Sequence, residues 1–137
     1  MNKAVFLVKR QYNRAVNKLL GIEGRIDLAV LQYDEVIDKL GNAITACKRA
    51  GLKEKVDMLK DKVIDVYSKK KKLLDEKVIL LAKVKELEAM KQAAVCCAKL
   101  GSASVVSVES TVNDVKNYIE QLEAELYTAE YFSSLDV

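Results

Sequence analysis

The stretch IDLAVLQYDEVIDKLGNAITAC, residues 26–47, decides the fold class. Its apolar residues Ile26, Val30, Tyr33, Ile37, Leu40, Ile44 and Cys47 recur alternately four and three apart. That spacing lines one stripe of an α-helix, and such a stripe must bury against another helix. A second stretch repeats the pattern at Val105, Val108, Val112, Val115, Ile119, Leu122, Leu126 and Ala129. The 137 residues include no proline and only five glycines, so little interrupts a helix. The expected fold is all-α: an elongated antiparallel helical hairpin or coiled-coil bundle with an N-terminal amphipathic helix.

Composition agrees. Half of the residues are apolar, 31% are charged and 6% are aromatic, a balance suited to long helices rather than to a thick core. The length fits a single domain. The glycines then divide the chain. Gly21 and Gly24 bracket a break between helices expected at about 3–20 and 25–50, and Gly51 is placed to close the second in a left-handed conformation. A third helical stretch covers about 52–100, and a turn at Gly101-Ser102-Ala103-Ser104, with Ser102 or Ser104 as N-cap, leads to a last helix at about 105–131. In the third stretch Val56, Leu59, Val63 and Val66 keep the rhythm, the seam then falls on Lys70, and apolar residues resume at Leu73, Leu74, Val78, Leu81, Val84 and Leu87. This reads as a slip near Tyr67–Lys72. A continuous helix and a helix broken near 68–72 both fit, and the absence of a breaker favours the continuous one.

Enzymatic signals are absent. With no histidine there is no side chain that titrates near neutrality unperturbed, and no G-x-S-x-G, phosphate-binding loop or dinucleotide-binding glycine run occurs. No catalytic residue, cofactor or metal is expected. Cys96 and Cys97 are adjacent, so on a helix they point about 100° apart and cannot easily pair or share a metal. With Cys47 they read as small buried apolar residues of a reducing cytoplasm. No run approaches the length of a membrane span, and no small-residue cleavage site follows the short apolar run at Met1–Val8.

Charge is unevenly placed. Residues 1–22 carry five basic side chains and no acid, residues 51–100 carry thirteen lysines against eight acids, and residues 101–137 carry one lysine against seven acids. On a helical wheel Val5, Val8, Tyr12, Val16 and Leu19 share one arc, with Lys9, Arg10, Arg14 and Lys18 outside it. This is the pattern of a helix that lies in an anionic membrane interface. It is equally the pattern of a bundle helix with a solvated basic face. Phe6 and Leu7 fall off the arc. The run Lys69-Lys70-Lys71-Lys72 could contact phosphate, but consecutive residues fan around a helix, and a solvated face is the simpler reading. No aromatic platform or DNA-binding motif accompanies it, so nucleic acid is not an expected partner.

Further residues carry a family resemblance. A basic first helix is followed by a hairpin tip, Lys48-Arg49-Ala50-Gly51-Leu52-Lys53-Glu54-Lys55. A long helix contains Val84-Lys85-Glu86-Leu87-Glu88-Ala89-Met90-Lys91 and then Ala98-Lys99-Leu100, and the last helix contains Glu120-Gln121-Leu122-Glu123-Ala124-Glu125. The chain resembles the phage-shock protein A family, bacterial relatives of the ESCRT-III membrane-remodelling proteins. The resemblance implies a cytoplasmic protein, peripheral on the inner face of the membrane, whose hairpins form homo-oligomers on anionic lipid without catalysis. The competing expectation is a soluble helical adaptor or small inhibitor, of the kind viruses also encode, that presents a helix face to a protein partner.

Overall fold

The computed structural model describes residues 3–101 and 105–134, with side chains described except at 105–108 and 129–134. The described residues form three helices and no strand: α1 (Lys3–Arg49), α2 (Lys53–Lys99) and α3 (Val105–Ser134). α1 and α2 each span 47 residues, about 70 Å of helix at 1.5 Å per residue.

α1 does not break at Gly21 and Gly24, contrary to the sequence expectation. The reason is a buried stripe longer than the one read from residues 26–47. Val8, Tyr12, Ala15, Leu19, Ile22, Ile26, Ala29, Tyr33, Val36 and Leu40 are all buried, and their spacing alternates four and three without exception. Both glycines lie outside this stripe, exposed, with helical backbone. Each costs about 1 kcal/mol against alanine, too little to break a helix packed along one side. Of the seam read from sequence, Ile26, Tyr33 and Leu40 are buried, while Val30, Ile37, Ile44 and Cys47 flank it half-buried. Ala29 and Val36 take the inner places.

The helix ends at a glycine, as expected. Gly51 has φ of 73°; its N–H donates to the Lys48 carbonyl at 3.2 Å, and the Leu52 N–H donates to the Cys47 carbonyl at 3.0 Å. This pair of bonds is the Schellman motif, and only glycine enters it without strain. Gly101, at φ of 74°, closes α2 in the same conformation. The expected caps Ser102 and Ser104 lie outside the described residues.

α2 is continuous through Ser68, and its rhythm does not slip. Leu59, Val63, Val66, Lys70, Leu73, Lys77, Leu80, Val84, Leu87, Lys91, Ala94 and Ala98 alternate four and three apart, and every one is buried or half-buried. Lysines occupy three seam positions, so the seam looks interrupted although its geometry is not. Leu80 is fully buried, whereas Val78, assigned to the seam from sequence, is 69% exposed.

The chain forms two compact units. The first takes α1 to Gly24, α2 from Val78, and α3 to Ala124. Its core holds Val8, Tyr12, Ala15, Val16, Leu19 and Ile22 from α1, Leu80, Leu87, Val95 and Ala98 from α2, and Val115, Ile119 and Leu122 from α3. Val112 is half-buried, as its place on the α3 stripe requires; the side chains of Val105 and Val108 lie outside the described set. Asn13 Oδ1 accepts from Lys91 Nζ at 3.0 Å, and Lys83 Nζ lies 4.7 Å from the centre of the Tyr118 ring.

The second unit takes Arg25 to Lys77 and the chain from Glu125 onward. Its core includes Ile26, Ala29, Tyr33, Val36 and Leu40 from α1, Val56 and Leu73 from α2, and Leu126 from α3. Two ion pairs fix the register of α1 on α2: Asp27–Lys77 at 2.7 Å and Asp34–Lys70 at 2.6 Å. Seven residues forward on α1 match seven residues back on α2, so the pairing is antiparallel. Burial raises the Tyr33 phenol above its usual range, and Asp65 adds to the effect.

At the α2–α3 contact of this unit two carboxyls meet. Glu125 Oε1 lies 3.6 Å from Lys72 Nζ, and its Oε2 is buried without a hydrogen-bond partner among the described residues. Burial is the largest cause that raises the Glu76 carboxyl above its ordinary value; the Glu125 charge and a hydrogen bond with Glu125 follow, Asp75 adds to them and Lys72 opposes. A raised carboxyl binds its proton more tightly folded than unfolded. Its contribution to stability is therefore complete below the unfolded value of 4.5 and lost as pH rises through the folded one.

Two predictions follow from this packing. Gly21→Ala and Gly24→Ala are each expected to raise stability by about 1 kcal/mol in urea unfolding, because an added Cβ meets nothing within 4 Å and the backbone is already helical. Glu76→Gln is expected to raise the thermal midpoint at neutral pH, with the advantage over wild type shrinking as pH falls toward 4.5. A constant difference between the two melting curves across that range would show that Glu76 does not titrate as described.

A candidate membrane-facing surface on the first helix

From Lys3 to Ile22, α1 carries Lys3, Lys9, Arg10, Arg14 and Lys18 and no acid. All five cations are exposed. The arc read from sequence as the lipid-facing side is placed differently. Val8, Tyr12, Val16 and Leu19 are buried in the first unit, Leu19 completely, and Val5 is half-buried. Sequence periodicity cannot separate a stripe that faces helices from one that faces lipid, since both demand the same spacing.

The large apolar residues that α1 turns outward here are Phe6, Leu7 and Leu20, and the adjacent Phe6 and Leu7, 54% and 52% exposed, are the most open of them. Lys3 precedes them by one turn, and Arg10 and Arg14 follow one and two turns later, so the pair sits within a basic face. Their position off the main arc was the available signal: apolar residues that miss a packing stripe have solvent or a ligand as neighbours.

The lysine run at 69–72 is not an open phosphate site. Lys69 pairs with Asp65 at 2.9 Å, Lys70 with Asp34 and Lys72 with Glu125. The hydrogen bond to Asp34, more than any other cause, holds the Lys70 ammonium above its usual range, with desolvation opposing. Lys70 Nζ also lies 5.5 Å from the centre of the Tyr67 ring. Lys70 belongs to the α1–α2 packing of the second unit, whereas Lys71 and Lys72 are exposed.

The cysteines are not the buried residues expected from sequence: Cys96 and Cys97 are exposed, since Val95 and Ala98 take the inner places on α2, Cys47 is half-buried, and all three are free thiols. Among the described residues no group of three or more Cys, Asp or Glu is placed to hold a metal ion, and no helix is long and apolar enough to cross a membrane. The charged tip from Lys48 to Lys55 is exposed around Gly51. Comparison with protein-family models, with curated proteins and with solved structures gave no match.

Proposed function

We propose that this chain is a non-catalytic, peripheral membrane protein whose helices form a coiled-coil bundle, and that it self-assembles on anionic lipid to brace or remodel the bilayer from the cytoplasmic side. The observation that carries the reading is the outward pair Phe6 and Leu7 set among Lys3, Arg10 and Arg14 in a segment without acids. Phe6 and Leu7 enter the interface while the cations meet headgroup phosphates. Each cation near an anionic surface contributes about 1 kcal/mol, and two apolar side chains add only a few kcal/mol, so a single copy holds weakly. Many linked copies turn that weak contact into firm attachment. The resemblance to the phage-shock protein A family supports the same reading, as do the uninterrupted three-and-four stripes on α1 and α2, which suit a coiled coil.

A second reading, a soluble helical adaptor or small inhibitor of a protein partner, is favoured by one specific observation. Tyr12, Val16 and Leu19 are buried in the first unit, so the apolar arc of this segment is occupied by helix packing and is not left for lipid.

Co-sedimentation with anionic liposomes separates the two. Removing residues 1–22 would also remove core side chains, so the informative variants are Phe6→Ser with Leu7→Ser, and Arg10→Glu with Arg14→Glu. Wild type is expected to pellet with anionic but not neutral vesicles. Loss of two cations at about 1 kcal/mol each would weaken binding about thirtyfold, and the two added carboxylates, repelled by the same surface, are expected to carry the loss of the Arg10→Glu with Arg14→Glu variant beyond that. Wild-type protein that stays in the supernatant with both vesicle types would leave the adaptor.

A further inference from the structure

Two rows of exposed side chains in the second unit lie outside the buried stripes. On α1 the row is Leu28, Leu31 and Glu35, with the leucines 60% and 59% exposed. On α2 it is Ile64, Tyr67, Lys71 and Leu74, spaced three, four and three apart, with the apolar members 68%, 56% and 40% exposed. Scattered surface leucines need no explanation, but apolar residues repeated at helical spacing on a face outside the core mark a contact. The rows complement each other in charge and order. Read forward, α1 offers two leucines and then an acid. Read backward, α2 offers a leucine, a lysine and then an aromatic ring. Laid antiparallel, Leu31 meets Leu74 and Glu35 meets Lys71, with Leu28 extending the apolar end.

We propose that a second copy of this chain docks its Leu28–Leu31–Glu35 row antiparallel on the Tyr67–Lys71–Leu74 row, and that this is the contact through which the protein self-assembles. The proposal rests on the self-assembly in the proposed function but requires no lipid. The apolar residues supply the attraction, and the Glu35–Lys71 pair selects the register and the antiparallel direction. A like-charged alignment is penalised, so the same rows do not associate at random.

The test is sedimentation velocity of the full chain without lipid, over a concentration series. Wild type is expected to rise above the 15.3 kDa monomer with concentration. Leu31→Glu and Leu74→Glu are each expected to raise the dissociation constant about tenfold or more, with helicity by circular dichroism unchanged because both side chains are exposed. Glu35→Lys and Lys71→Glu should each weaken association, and an equal mixture of these two variants should restore it, since every contact between unlike copies again joins an acid to a lysine. Oligomers that survive both leucine substitutions overturn this interface and leave self-assembly standing. A mixture no stronger than its components overturns the Glu35–Lys71 register. Wild type monomeric throughout overturns this contact, which requires no lipid, and leaves assembly on the membrane to the liposome experiment.

Discussion

The α2 seam positions that carry lysine rather than leucine set the terms for the rest of this fold. Lys70, Lys77 and Lys91 occupy places that the three-and-four rhythm reserves for the interior, and α1 answers each with an oxygen from Asp34, Asp27 or Asn13. Such half-exposed pairs contribute little energy, of the order of 1 kcal/mol or less. Their value is directional. An all-leucine seam would accept any shift by a whole heptad, whereas here a shift by one heptad keeps only one of the two ion pairs, since Asp27 and Asp34 are themselves seven apart, and leaves the other lysine and the other acid without partners. The long methylene stems lie along the seam and bring the ammonium to its edge, where α1 supplies the partner. Apolar burial holds the helices together, and the lysines decide which residues lie opposite.

Much of the architecture was legible in the sequence. The all-helical class, the glycine that closes α1 at the hairpin and the stripe from Val112 to Leu126 follow from spacing and from one left-handed position. What escaped was hidden by residue type rather than by pattern. Lys70 and Lys77 disguised an intact seam as a slipped one. Ala29, too small to stand out beside Val30, concealed the inner stripe of α1, and Gly21 with Gly24 imitated a break because their chemistry is that of a breaker while their position is that of an outer face. Propensity is a local preference, and continuous packing along the opposite side outweighs it.

The candidate surface illustrates the same limit. An amphipathic arc states that a face is buried and leaves open what buries it. In this chain the arc of Val8, Tyr12, Val16 and Leu19 belongs to the interior of the first unit, and the side that carries cations also carries Phe6 and Leu7. Residues that fit the packing pattern worst are therefore the ones left for an external partner. The same logic governs the second unit, where the rows on α1 and α2 are visible only after the seam residues have been set aside.

The turn at Gly51 has a consequence for how the chain reaches this state. From it, the opposing partners of α1 and α2 grow steadily more distant in sequence: 36 residues separate Asp34 from Lys70, 50 separate Asp27 from Lys77 and 78 separate Asn13 from Lys91. Each doubling of a loop adds only about 0.6 kcal/mol of closure entropy, and once an inner pair is made the next pair closes a much shorter free segment. The hairpin is thus built like a zip fastener with a single starting end. Its register is chosen once, beside the glycine, and every later contact inherits that choice.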